Sequence, residues 1–458
     1  MASKVKKGFL YYLVWLVVIV VGIACIFASI LLFNPNKDVF GIGLRYISHL
    51  NTESINQITV NGEKKNIKDL EIEKFNFVSG YGEFNVINDA SYSQITLAVN
   101  KKTNGFSNDK DYDGCYLKFN YENKVLNIEI VEPKYWLPLS QNVIVTVFIP
   151  NTYSLGNKDL SFTSTSGNIT PIHTDSTSVI SINKLDINTV SGAVTIYNKT
   201  NVMSGIVNID CETSKVNVYC DVKDQLNLNT KYGKIYIDNI AGNLTINAEK
   251  LDAKCQKIGG NVSYSCKTGF IRIGKLGTEL SGGNFSAEID KQHIADVVIE
   301  EMTGNLSIPN AEMSNIMVDK LGGIALIDTT SGNVNIGNSQ NQITIKTKSG
   351  SVNLTQTSTF ARTDVETESG KIVANFEDVG DVSLKSKSGT IEVNVKTDLQ
   401  FIFKYSTEKE IKVSWITTSL EKEGTIYVGL NENETTANVI DAKTNSGKIS
   451  LKDGFELE

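Results

Sequence analysis

Histidine, arginine and proline are scarce in this 458-residue chain. The three histidines, His49, His173 and His293, are scattered with no metal-ligand spacing. The only arginines are Arg45, Arg272 and Arg362, so no arginine cluster is available to clamp an anionic substrate. A net charge of −7 and the lack of a basic patch with interleaved aromatics argue against a nucleic-acid partner. Helical periodicity is missing over most of the chain. No Gly-x-Ser-x-Gly turn between a strand and a helix is present, which removes the usual setting of a serine nucleophile. Lysine, asparagine and isoleucine are common, a bias that fits an AT-rich bacterial genome.

What the chain does have is a repeat. Ser-Gly followed by a short alternating strand occurs at Ser166-Gly167-Asn168-Ile169, Ser191-Gly192-Ala193-Val194, Ser331-Gly332-Asn333-Val334 and Ser349-Gly350-Ser351-Val352. It returns at Ser369-Gly370-Lys371-Ile372, Ser388-Gly389-Thr390-Ile391 and Ser446-Gly447-Lys448-Ile449. Tyr232-Gly233-Lys234-Ile235, Ala241-Gly242-Asn243-Leu244, Gly260-Asn261-Val262 and Thr303-Gly304-Asn305-Leu306 read as variants. Gly332, Gly350, Gly370 and Gly389 lie about 18 to 20 residues apart, the size of one small solenoid coil. Between them run alternating segments such as Ile343-Thr344-Ile345 and Val382-Ser383-Leu384, which point one side chain inward and the next to water. Glycine suits these corners because they require φ > 0 or close backbone approach. The spacing leaves two-sided coils of about 19 residues and three-sided coils of about 28 both open.

The N-terminus carries a second signal. Phe9 to Phe33 holds no charge and is long enough for a bilayer-spanning helix of about 20 residues. It exceeds the apolar core of a cleavable signal peptide. Lys4, Lys6 and Lys7 precede it, so the positive-inside rule places the N-terminus in the cytoplasm and the remainder outside. The expectation is a single-pass plasma-membrane protein with a signal anchor over residues 8–33, in contact with membrane lipid, and an extracellular C-terminal domain. Lipidation at Cys25 is a weaker rival, because the apolar run continues well past it.

The six cysteines do not read as a disulfide framework. Cys211, Cys220, Cys255 and Cys266 each follow apolar residues of inward parity, where a free thiol acts as a small hydrophobe. Their spacings do not match one coil, as stacked partners would require. Cys115 has no obvious partner. The best metal candidate is the calcium-loop-like run Asp109-Lys110-Asp111-Tyr112-Asp113-Gly114, with Asp109, Asp111 and Asp113 as ligands. The match fails at its twelfth position, Asn120, and no helices flank it, so a polar hairpin tip is the competing reading. No other cofactor is expected. His173, Asp175 and Ser176 are too close along an extended segment to form a triad. Glu300-Glu301 and Glu421/Glu423 read as solvated carboxylates.

The chain divides into a cytoplasmic stub (1–7), the span (8–33), a juxtamembrane connector (34–68) with a short helix around Leu44–Leu50, an irregular β cap (69–150), regular coils (151–397) and a C-terminal β cap (398–458). The run Val145-Thr146-Val147-Phe148-Ile149-Pro150, then Leu160–Thr163 and the Ser-Gly series through Ser446-Gly447, resembles the bacterial putative-adhesin family of unknown function. That family is a β-solenoid often found behind a membrane anchor. The resemblance implies an all-β fold: a right-handed parallel β-helix or solenoid with irregular β caps, preceded here by one N-terminal transmembrane helix.

The repeat specifies a corner and brings no catalytic residue with it, so no enzymatic activity is expected. The leading functional reading is a non-catalytic, adhesin-like surface binding or cell-envelope structural module, with wall polymer, matrix or another surface protein as partner. The alternative is an envelope-stress or regulatory component acting through a membrane partner. A β-helical polysaccharide lyase is the third reading; it shares the fold class but needs a basic groove that three arginines do not supply.

Overall fold

A computed structural model of the chain describes residues 2–33, 45–107, 116–131, 137–174, 181–197, 202–203, 205–278, 282–289, 295–359, 361–396, 398–430 and 437–454; the side chains described in its N-terminal helix are those of 11–26. That helix, α1, spans Ala2–Phe33. Among the described residues no helix is long and apolar enough to cross a membrane.

The remainder is a stack of parallel strands in which each coil supplies two. Within Ala295–Met302 to Ile391–Val395 the coils are two-sided, which settles the choice between two and three sides. The first strands stack as Leu306–Ala311, Ala325–Thr329, Ile343–Thr347, Thr363–Thr367 and Val382–Ser386. The second strands stack as Ile316–Leu321, Val334–Ser339, Val352–Gln356, Ile372–Phe376 and Ile391–Val395. Neighbouring coils are in register, so alternation along the strand becomes rows along the stack. One inward row runs Phe162, Ile187, Ile209, Leu228, Ile246, Tyr264 and Ala287. All of these are buried. Near the N-terminal end the row is aromatic, with Phe77 and Phe162 stacked at 4.7 Å. This contiguous aliphatic column between the two sheets is the core.

The Ser-Gly corner explains why the coils lie in register. A buried Thr or Ser three residues before each glycine accepts the glycine N–H: Thr347 from Gly350 at 3.0 Å, Thr367 from Gly370 at 2.9 Å, Ser386 from Gly389 at 2.7 Å. The serine N–H donates to the corner carbonyl of the coil before, as Ser369 to Lys348 O at 2.8 Å, and its hydroxyl donates to the same carbonyl. A Cβ on Gly350, Gly370, Gly389 or Gly447 would overlap the carbonyl of the glycine in the preceding coil. None of these glycines has positive φ. Close approach, not left-handed backbone, is therefore what excludes other residues here.

The structure separates two corners that the sequence pattern merges. Gly242, Gly260, Gly304 and Gly323 stand on the opposite turn, before the first strand of a coil, where Asn side chains form the ladder. Asn243 Oδ1 accepts from Asn261 N, Asn261 Oδ1 from Asn284 N, and Asn284 Oδ1 from Asn305 N, at 2.8–3.0 Å. In the middle of the chain the Thr row is interrupted: it runs Cys211, Thr230, Ala248, Cys266 and Ile289. From Cys211 to Cys266 the corner flattens, in the coil that keeps Thr230 as in its neighbours. The two strands of a coil then merge into single strands of 13 to 16 residues, Ile206–Val218, Gln225–Ile240, Asn243–Ile258 and Val262–Leu276.

Both ends depart from a simple winding. The coil Lys74–Ser79 and Glu83–Asn88 lies between Asp159–Ser164 with Ile169–Thr174 on one side and Val125–Val131 with Leu137–Ile149 on the other, parallel to both. At the far end Val439–Thr444 and Ile449–Asp453 insert between Val382–Ser386 with Ile391–Val395 and Phe401–Thr407 with Ile411–Val413. The last Ser-Gly repeat is thus an inner coil, not the outermost, with Gly447 set against the corner of Gly389. Antiparallel strands close the outer edges: Tyr116–Glu122, Thr96–Ser107 and Glu423–Val428. The helix expected around Leu44–Leu50 is instead the strand Arg45–Ile55, paired antiparallel along Ser107–Leu97. Eleven paired positions override a weak local helical preference.

Cys211, Cys220, Cys255 and Cys266 are buried free thiols, while Cys115 lies outside the described residues. Burial pushes the Cys255 thiol up to about 12 and raises those of Cys211 and Cys266. These four should therefore resist a thiol reagent in the native protein and react fully once it is denatured without reductant. Recovery of fewer thiols after denaturation would mean disulfides. A second outcome tests the corner. Gly370→Ala should cost about 3 kcal/mol or more because backbone must move. Ser369→Ala, losing one weak hydroxyl bond, should cost about 1 kcal/mol or less. Chemical-denaturation midpoints compare the two, and equal losses would remove the close-approach argument.

Candidate functional site

In-register stacking also arranges the exposed side chains beside the Ser-Gly corner into rows. The residue before the Thr of each coil forms one row: Asp328, Lys346, Glu366, Lys385 and Lys443. The residue after it forms a second: Thr330, Lys348, Glu368, Lys387 and Asn445. Both rows line a shallow groove of about 430 Å³. Further up the same corner Asp210, Glu212, Lys231, Glu249, Lys267 and Glu288 line a larger groove of about 900 Å³. The boundary between them is the bulge at Pro309-Asn310, where Asn310 has φ 63° and the register shifts between Ile308 and Ala311.

The upstream row alternates in sign and pairs with itself. Lys231 Nζ lies 2.7 Å from Glu212 and Lys267 Nζ 3.8 Å from Glu249. Downstream, Lys387 donates to Glu368 at 2.9 Å. The Lys387 hydrogen bond, with its charge and that of Lys348, holds the Glu368 carboxyl below the usual range. Lys346, Lys348 and Lys385 have no carboxylate within ion-pair distance among the described residues. Each exposed pair contributes little alone in water.

Of the carboxylates singled out in the sequence, Glu300 and Glu301 are held in separate ion pairs. Glu300 accepts both Nε and Nη2 of Arg272, at 3.0 and 2.7 Å, and Glu301 accepts Lys275 Nζ at 2.9 Å. Arg362 is engaged by Asp364 at 2.7 Å. Neither arginine of the repeat region faces a groove together with a free acid. Asp109, Asp111 and Asp113 lie outside the described residues, as do Asp175, Ser176 and the side chain of His173. Among the described residues no group of His, Cys, Asp or Glu could hold a metal ion. The charged rows themselves were missed in the sequence. Their signal was the residue on either side of the Thr, at a fixed offset from each Ser-Gly.

The fold defines the class: a β-solenoid with laddered corners. Residues 270–452 match the family described as Toastrack DUF4097, and that region of the chain is similar to it. No curated protein matches the chain. Three solved structures align along 89% of it. One is a putative cell adhesion protein from Clostridium sporogenes, 9% identical, covered over 100% of its length, TM-score 0.17. The others are putative adhesins from Parabacteroides distasonis, 12% identical, 97% covered, TM-score 0.23, and from Bacteroides fragilis, 10% identical, 97% covered, TM-score 0.17.

One ion pair ties the inserted C-terminal coil to the stack. Glu392, mostly buried at 18% side-chain exposure, is contacted by Lys452 and by Lys371, the latter at 2.9 Å. Their hydrogen bonds hold its carboxyl below the usual range. A carboxylate depressed in the folded state adds stability above its unfolded value, about 4.3, and loses it as pH falls through the folded value. Glu392→Gln should therefore destabilise the protein by about 1 kcal/mol at pH 7. The difference from wild type should shrink as pH drops below 4, as read by denaturation midpoints across a pH series. A difference that stays constant to pH 2 would show that packing, not charge, is responsible.

Proposed function

We propose that this protein is a membrane-anchored, extracellular, non-catalytic β-solenoid that binds polymer or another surface through its repeated polar rows. α1 is the anchor in this reading: the run Phe9–Phe33 is uncharged, and the described side chains Tyr11–Ile26 are exposed, with no solenoid surface covering them. The observation that carries the binding role is the corner itself. Its charges are spread along two rows, at one position per row in each coil, and are mutually paired or open to water. Catalysis needs an acid, base or nucleophile converging with a group that stabilises developing charge. A rod of similar weak sites instead gains by effective concentration.

The match of residues 270–452 to the Toastrack family agrees with the repeat scaffold this reading needs. Protease added to intact protoplasts should digest the solenoid and spare α1. The protein should retain cells or wall fragments on a coated surface, and should neither cleave nor eliminate acidic polysaccharides, with or without calcium. A protected C-terminus, absent retention or measurable turnover would each contradict the reading.

A further inference from the structure

The downstream groove has a composition unlike a protein-binding surface. Its lining is Asp328, the cap row from Thr329 to Ser386, Thr330 and Asn445, and the lysines and glutamates of the two rows, with no hydrophobic residue among them. Specific protein interfaces centre on desolvated apolar or aromatic anchors, and there are none here. It also lacks the aromatic stacking platform of a single-stranded nucleic-acid site.

What it offers is spaced positive charge. Lys346, Lys348, Lys385, Lys387 and Lys443 are all exposed. Strands in a sheet lie about 4.8 Å apart, so Lys346 and Lys385, two coils apart in one row, present charges about 10 Å apart along the stack. Lys348 and Lys387 repeat that spacing in the second row. Glu366 and Glu368 occupy the coil between. This alternation disfavours a polymer charged at every unit; DNA, with a phosphate about every 3.4 Å of each strand, would set phosphates against the glutamates. It suits a chain in which charged and neutral units alternate. The carboxylates of Glu366 and Glu368 then accept hydrogen bonds from the hydroxyls of the neutral unit. Three of the lysines, Lys346, Lys348 and Lys385, are not already engaged in an ion pair among the described residues.

We propose that this groove binds a linear acidic polysaccharide bearing one carboxylate on every second sugar, laid along the solenoid axis across the coils from Lys346 to Lys443. The inference rests on the binding-module reading and names its site and ligand class.

The test uses the full chain in lipid nanodiscs, with hyaluronan (a carboxylate on alternate sugars), polygalacturonate (on every sugar), inorganic polyphosphate and neutral dextran as probes. Hyaluronan should bind most tightly, weaken as salt rises, and outcompete the other three. The triple variant Lys346→Gln, Lys348→Gln, Lys385→Gln should lose at least tenfold in hyaluronan affinity with an unchanged melting temperature. Lys118→Gln, on the outer strand Tyr116–Glu122 and in neither groove, should bind as wild type. Tighter binding of polygalacturonate or polyphosphate, equal binding of dextran, or a triple variant that binds like wild type would each overturn the assignment. Cell retention separates the two levels: retention that survives while hyaluronan fails to bind removes this site and leaves the module reading standing. Loss of retention by the wild type removes the reading itself.

Discussion

The contact on which this structure depends is the approach of one corner glycine to the carbonyl of the corner glycine in the coil before. A side chain there would force the coils apart, and inter-strand hydrogen bonds tolerate little separation. Because Gly350, Gly370, Gly389 and Gly447 each face the glycine before them, the coils can stack only in one register. The Thr or Ser three residues earlier satisfies the glycine N–H, which would otherwise be a buried orphan donor. Register fixed at one corner propagates along both strands, and a slip of one residue would turn the aliphatic column outward.

Fixed register has a surface consequence. Like positions of successive coils lie one strand spacing apart, so the choice of residue beside the corner writes a one-dimensional charge pattern. Where acid and base alternate in neighbouring coils, as at Glu212 and Lys231, the pattern neutralises itself. Where two coils separate lysines without enough carboxylate between them, as from Lys346 to Lys385, surplus charge remains. Single pairs of this kind are weak in water. Their value lies in periodicity, which a repeating ligand can match and an isolated ion cannot.

Much of the regular stack was legible because its rules are local. Ser-Gly, the alternating strand after it and the spacing of about 18 to 20 residues from Gly332 to Gly389 all follow from one coil's own geometry. The inward parity of the four solenoid cysteines was legible for the same reason. What was not legible is non-local. Arg45–Ile55 became a strand because Thr96–Ser107 offers an edge, which nothing within residues 44–50 announces. The Gly-Asn turns and the Ser-Gly turns look alike in sequence, yet they stand at opposite corners, and only pairing between coils tells them apart. The charged rows needed that register before they could be seen as rows. The merging of strands between Ile206 and Leu276 accompanies Cys or Ala at three of the four positions of the Thr row there, a change visible in the sequence but without meaning until the Thr–Gly bond was known.

The closure of the C-terminal end links stability to the proposed site. In an ordinary linear solenoid the terminal coil has one neighbour and frays at the loss of a single interface. Here residues 437–454 have neighbours on both faces, and the outer strands Phe401–Thr407 and Ile411–Val413 stack on them. Those outer strands precede the inserted coil in sequence and, apart from the antiparallel pairing of Phe401–Thr407 with Glu423–Val428, stack only on it. The last sixty or so residues must therefore assemble as one unit, through contacts of long sequence separation that are slow to form. Lys443 belongs to that inserted coil and lies in register with Lys385. The lysine row is thus completed only once residues 437–454 have folded into place, so seating the inserted coil and completing the charge pattern are the same event.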